Sequence, residues 1–270
     1  MAEDDGSGGK MPLLEHLVEL RARLLKCVVA LIVAFLFCFY FAQDIFEFLA
    51  EPLLRIMEKR GVEPMMIITA LTEGFFTYVK VAFFAAAFVT CPVFLTQFWL
   101  FVAPGLYRHE KKAMLPFLLA TPFLFFIGGA LVYYIIFPTA ADFLLSVVDI
   151  GTPQIEGGLE IELQAKISEY LSLMMKLIFA FGLCFQLPVV MTLLARTGLA
   201  TSKGMAEKRK YAIVGVFVVA AIFTPPDPIS QLMLAVPIII LYEISIYMAK
   251  MVEKKRAAEA GDDEDEEAES

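Results

Sequence analysis

Residues 211–237 read YAIVGVFVVAAIFTPPDPISQLMLAVP, two apolar runs on either side of a proline-rich link. Pro225, Pro226 and Pro228 cannot donate backbone N–H groups and restrict their predecessors to extended conformations, so TPPDP reads as a tight reversal between two helices. The first run, Tyr211 to Phe223, has 13 residues; at 1.5 Å per residue it covers about 20 Å, short of a hydrocarbon core of about 30 Å. The second, Ile229 to Met248, is long enough to cross. An apolar hairpin whose only acids are Asp227 in the turn and Glu243 near the far end belongs in lipid. There, backbone groups must be satisfied within helices or closed barrels.

Four more runs precede this hairpin: Leu24 to Phe41, Phe75 to Phe101, Ala113 to Phe137 and Ile167 to Leu194. With 59% apolar residues in a chain of 270, and a mean hydropathy of +0.73, the composition exceeds the roughly 45–50% apolar content of soluble domains. The expectation is an all-α membrane protein with six transmembrane helices over residues 12–252. The acidic, Gly-rich residues 1–11 and the tail 253–270 should lack fixed structure. The first run has no small-residue cleavage site after it and should be retained as a helix, not removed as a signal peptide. The formal charge of -8 is located in that tail, where residues 257–270 contain Glu259, Asp262, Asp263, Glu264, Asp265, Glu266, Glu267 and Glu269 and no base. The remainder is neutral overall, which excludes the basic field of a nucleic-acid binder. Cys27, Cys38, Cys91 and Cys184 lie in apolar runs without paired spacing and read as buried small hydrophobes.

Orientation follows from the bases in alternate connections. One side collects Lys10, Arg21, Arg23 and Lys26, then Arg108, Lys111 and Lys112, then Arg196, Lys203, Lys208, Arg209 and Lys210, then Lys250, Lys254, Lys255 and Arg256. The other has Arg55, Lys59, Arg60 and Lys166. Both termini are therefore expected in the cytoplasm. On the outer side the links from about 43 to 73 and 138 to 166 are long enough to fold, and AQDIFEFLAEPLLRIM (42–57) has helical spacing, which predicts a small outer cap. No internal repeat suggests the inverted halves of many secondary transporters.

Enzymatic chemistry finds little to work with. There is no phosphate-binding G-x-x-x-x-G-K-[ST] run, no metal-ligand spacing, and the two histidines, His16 and His109, flank the first and third runs on the cytoplasmic side. No cofactor is expected. The polar residues in or beside lipid are then the main clues, since a charge at bilayer centre costs roughly 2.5–3.5 kcal/mol on insertion scales. Lys80 lies two turns after Glu73 and Lys176 two turns after Glu169, spacings that suit snorkelling or pairing; Glu243 could pair with Lys250. Gln186 and Gln231 are deep amides of the kind that hydrogen-bond another helix.

The N-terminal segment EHLVELRARL (15–24) sets Leu13, Leu17, Leu20 and Leu24 on one face and Glu15, Glu19 and Arg23 on another. Glu19 and Arg23 have the order and spacing of an intrahelical ion pair. In YRHEKK (107–112), Glu110 is the one acid among three bases and a histidine, as at a solvated loop end. Yet both glutamates belong to one rim, where paired carboxylates can receive guanidinium groups in bidentate fashion.

HLVELRARL (16–24), FVAPGLYRHEK (101–111), FAFGLCFQLPVV (179–190) and TPPDPISQLMLAVP (224–237) together resemble the TatC family, the multispanning core of the twin-arginine protein translocase. The resemblance runs from about residue 12 to 250 with the motifs in the family's order. It implies a concave, glove-like bundle of six spans in the bacterial inner membrane, both termini cytoplasmic. It further implies a receptor for folded precursors carrying an S-R-R-x-F-L-K signal, several copies acting in one complex, and single-span partner subunits of the TatA and TatB type. By position, Glu19 and Glu110 match the family's signal-recognition carboxylates, with Arg21 and Arg23 in the same motif. Pro52 matches a position in the cap. Thr224 and Gln231 match the polar cluster where partner helices dock, and Gln186, which stands where some members have Glu, is grouped with them as a partner-helix position. The competing expectation, a secondary transporter of a small solute, requires ionisable coupling residues at mid-membrane.

Overall fold

The computed structural model describes residues 13–61, 66–68, 70–106, 111–151, 165–224 and 228–269, almost all of them helical. Helices α1 (Leu13–Tyr40), α2 (Ala42–Lys59), α3 (Glu73–Leu106) and α4 (Lys111–Leu131) are followed by a π turn at Val132–Ile136 and by α5 (Phe137–Gly151). Then come α6 (Ile167–Cys184), α7 (Leu187–Arg196), α8 (Ser202–Glu207), α9 (Arg209–Phe223) and α10 (Pro228–Glu269). Among the described residues, five helical stretches are long and apolar enough to cross a membrane: His16–Tyr40, Glu73–Phe101, Leu119–Ser146, Ile167–Arg196 and Pro228–Lys255. The remaining apolar run forms α9, 15 residues and about 22 Å long, as short as its sequence implies.

Several elements depart from the pattern of runs. The third span does not stop at Phe137. Pro138 cannot donate to the carbonyl four residues back, and the preceding turn widens so that the Phe137 N–H reaches Val132 O; the helix then continues to Gly151. The fourth long run is broken at Phe185 and Gln186, where the Gln186 N–H bonds Leu183 O and Pro188 opens α7 near its start. Two of the links between helices also meet in a short parallel ladder, β1 (Met66–Ile67) with β2 (Ala165–Lys166), among the described residues a small exception to an all-α chain. Finally, α10 continues as helix over 253–269, a stretch that composition marks as unable to bury apolar surface. Glu253 accepts from the Ser202 N–H and hydroxyl at 2.6 and 2.5 Å, and the Ala, Glu, Lys and Arg residues that follow are good helix formers.

Packing is uneven. α1 leans chiefly on α3, with Cys27 and Cys38 buried, while Leu24, Val28, Ile32 and Leu36 are exposed as a lipid-facing helix requires. The main core gathers Val81 of α3, Val132 and Ile136 of the π turn, Leu171, Met174 and Phe181 of α6, and Leu234 of α10. α4 and α6 approach most closely through glycines: a Cβ at Gly128 would lie 2.7 Å from Phe181 O, and one at Gly182 2.5 Å from the Phe125 ring. Small residues at such a seam let two backbones meet and recover dispersion energy that lipid cannot supply.

The predicted cap is present. α2 buries Leu49, Ala50, Leu53, Ile56 and Met57 on one face and carries Pro52 within its length. That proline withholds the N–H that the Phe48 carbonyl would otherwise receive. The Tyr133 hydroxyl donates to Phe48 O instead, at 2.6 Å, and the Tyr170 hydroxyl to Leu49 O at 2.8 Å. At the end of α2, Arg60 grips Asp142 of α5, with Nε and Nη2 3.0 and 2.9 Å from Oδ1.

Candidate functional site

The N-terminal part of α1 meets the far end of α3 at two points. The His16 ring stacks on Phe101 with centroids 4.1 Å apart and planes 17° apart. About two turns further along α1, Arg23 lies between its own helix and α3: Nη2 and Nε donate to Glu19 Oε1 at 2.5 and 2.9 Å, and Nη1 donates to Gln97 Oε1 at 3.3 Å. The intrahelical pair anticipated from spacing is therefore formed, and it is half-sheltered, with side-chain exposures of 24% for Glu19 and 20% for Arg23. Both strong donors converge on one carboxylate oxygen. The other, Glu19 Oε2, is buried and has no hydrogen-bond partner. Such an oxygen has lost its water without a replacement, and a guanidinium or backbone N–H is the group that would complete it.

Gln97 was not singled out from the sequence. Its signal is nevertheless there, a lone amide in the apolar run from Phe75 to Phe101, one turn before the aromatic that stacks on His16. Arg21, two positions from Glu19 and Arg23, is exposed on another side of α1. Glu110 lies in the segment 107–110, outside the described residues. The helices bracketing it, α3 ending at Leu106 and α4 beginning at Lys111, are separated by those four residues.

The remaining expected positions are distributed over the fold. Gln186 is 6% exposed and turned inward: its Nε2 donates to Thr121 O of α4 at 3.0 Å, the interhelical amide bond its depth requires, while Oε1 is buried without a partner. Gln231 donates to Phe217 O at 3.0 Å, closing α10 onto α9, and Thr224 ends α9 with its hydroxyl on Ala220 O. Thr224, Ser230 and Leu234 line an apolar cavity of about 210 Å³ with Phe137, Leu173 and Leu177. On the face beside Gln231, Leu232 and Val236 are 48% and 49% exposed.

The other charged residues find different partners from those their spacing suggested. Glu243 pairs with Arg209 at the start of α9, at 2.8 Å, not with Lys250 on its own helix. Glu73 accepts from the Ser168 hydroxyl at 2.5 Å and the Ala70 N–H at 3.2 Å, and Lys80 is left exposed. Glu169 lies 3.7 Å from Lys166, and Lys176 is exposed. Among the described residues no charged side chain is fully buried; the buried polar ones are Thr77, Thr90, Thr121, Gln186, Thr192, Ser230 and Ser245. No group of three or more His, Cys, Asp or Glu suited to a metal ion occurs among them.

Comparison with known proteins places this geometry in context. Residues 15–237 match the family model described as Sec-independent protein translocase protein (TatC). The chain is 51% identical over 255 residues to the Sec-independent protein translocase protein TatC of Magnetococcus marinus, covering 94% of this chain and 90% of that one. It is 38% identical over 239 residues to the protein of the same name in Escherichia coli K12, covering 88% of each. A crystal structure of the twin-arginine translocase receptor TatC superposes with a TM-score of 0.75 at 37% identity, over 88% of this chain and 99% of that one.

Proposed function

Because the chain belongs to the TatC family of Sec-independent protein translocase proteins, we propose that it is the signal-peptide receptor of a twin-arginine translocase. In this reading it lies in the bacterial inner membrane with both termini cytoplasmic and α9 as a sixth, shortened span. The arginine pair of a folded precursor's signal is received by Glu19 and Glu110 at the cytoplasmic rim, beside Arg21 and Arg23. The observation that carries this is the Glu19 carboxylate, held at the seam of α1 and α3 with one oxygen buried and unmatched. A site of this kind favours arginine, whose planar fork can meet both oxygens, over lysine, which offers a point charge. The uncharged character of the buried polar residues supports the receptor over a small-solute carrier, which needs ionisable coupling groups at depth.

The test is binding of an S-R-R-x-F-L-K peptide to the purified full chain at physiological salt. Binding that is lost when Arg-Arg becomes Lys-Lys supports the assignment; equal binding of both peptides rejects it.

Single-span partners of the TatA and TatB type are placed on the α9–α10 hairpin. There Leu232 and Val236 give an exposed apolar face beside Gln231, whose Nε2 is held by Phe217 O, while Thr224 ends the short helix next to them. An interhelical amide contact contributes only about 0.6–2 kcal/mol, so the aliphatic side chains must supply much of the affinity. Photo-crosslinking from Gln231 with partner subunits present is expected to give more partner adduct than from Leu119, an exposed position on α4. Equal yields would discard this docking face. Gln186, turned into the fold, contributes by fixing α6 and α7 against α4, and several copies of the chain act in one export complex.

A further inference from the structure

Resting on the receptor reading above, we propose that Arg23 sets the site's preference for arginine. It is a resident guanidinium on Glu19 that the signal's guanidinium displaces and that a lysine ammonium cannot.

The geometry of the resting pair carries this inference. Arg23 reaches back one turn to Glu19 while its third corner is held by Gln97 of α3, so its fork lies side-on to the carboxylate and both Nε and Nη2 fall on Oε1. The second oxygen is buried and bare. A guanidinium arriving from a separate chain is free of these constraints and can set its two parallel donors on both oxygens. Exchange of one arginine for the other keeps the charge and the donor type and adds the hydrogen bond that the resident arrangement leaves unmade. Displaced Arg23 retains an acceptor in Gln97. An ammonium entering the same exchange gives up two charge-assisted bonds for a compact, strongly hydrated point contact. The exchange is thus favourable for arginine and unfavourable for lysine.

Another ion pair in the molecule shows that this arrangement does not follow from spacing alone. Glu51 and Arg55 have the same i, i+4 relation, but their side chains are 43% and 73% exposed, and neither Glu51 oxygen is both buried and unpartnered.

The experiment measures affinities of the purified full chain for the Arg-Arg peptide and its Lys-Lys counterpart, in the wild type and in Arg23→Gln. With the resident guanidinium gone, Lys-Lys binding should rise more than Arg-Arg binding. The ratio of the two affinities should narrow about tenfold, the factor corresponding to one hydrogen bond to a charged group. Arg23→Lys retains the charge and helical pairing of the native residue, and it should also narrow the ratio, to a lesser degree, because a resident ammonium yields to either incoming side chain. An unchanged ratio in both variants overturns the proposal. So does a parallel fall for both peptides, which would make Arg23 a simple support for Glu19. Wild-type protein that binds neither peptide overturns the receptor reading itself, and this inference with it. A wild-type preference for arginine that the variants do not alter overturns the inference alone.

Discussion

Glu19→Ala is expected to lower affinity for a twin-arginine signal peptide by roughly thirtyfold or more, the lower end of the 2–5 kcal/mol associated with truncating one partner of a sheltered charge pair. Three effects act in the same direction. The incoming guanidinium loses its acceptor, the local charge becomes more positive, and Arg23 no longer has a carboxylate to neutralise it, so that it repels the signal's arginines. Glu110→Ala should act similarly if the two acids share the arginine pair. The protein should still insert and fold, because Glu19 is a partly exposed residue on a helix held by apolar contacts with α3. Isothermal titration with peptide, alongside thermal unfolding of the same samples, separates the two effects. Wild-type affinity in both alanine variants would eliminate the carboxylate pair as the receptor site.

The largest effect on stability is expected at the seam of α4 and α6. A methyl group at Gly182 would lie 2.5 Å from Phe125 Cε2 and 2.7 Å from Cδ2. Phe125 has no room to retreat: it is fully buried, with Phe88 at 5.1 Å and Phe179 at 5.7 Å between ring centroids. Across the same seam a methyl at Gly128 would meet backbone, the Phe181 carbonyl at 2.7 Å. Overpacking of this kind costs about 1–3 kcal/mol, so Gly182→Ala should lower the unfolding temperature by several degrees, and Gly182→Val should accumulate poorly in membranes. Gly215 of α9 is the internal control. It has open space around its Cα, and Gly215→Ala should be neutral or stabilising by up to about 1 kcal/mol through helix propensity. Equal losses at Gly182 and Gly215 would show that the seam is not the determinant.

Much of this was readable one residue after another, because lipid imposes a one-dimensional rule. Runs of apolar residues marked the long spans, the 13 residues before TPPDP marked the short helix, and the spacing of AQDIFEFLAEPLLRIM marked the cap helix. Glu19 and Arg23 were also legible, since a local pair needs only one helix. What escaped was set by contacts between distant segments. Gln97 stands out in its run only as a lone amide, and its partner is a residue 74 positions away that is identified only when α1 is laid along α3. Glu243 chose Arg209 over Lys250 because the start of α9 stands beside α10, a neighbour that spacing within one helix cannot show. The break at Gln186 was hidden by the continuous hydrophobicity of FAFGLCFQLPVV, although Pro188 marked it. Pro52 was visible as a position in the cap, but its physical part depends on tyrosines more than 80 residues away.

Those tyrosines have a mechanical consequence. Tyr133 and Tyr170 fasten successive carbonyls of the cap helix to two different spans, and Arg60 fastens its end, through Asp142, further along the span that carries Tyr133. Three anchorages that do not share one line remove the freedom of a strut to swing or twist, so this end of the molecule acts as a truss. α1, by contrast, rests chiefly on one neighbour, α3. On the proposed receptor reading, a peptide held at Glu19 pulls near the end of α1 remote from this braced cap.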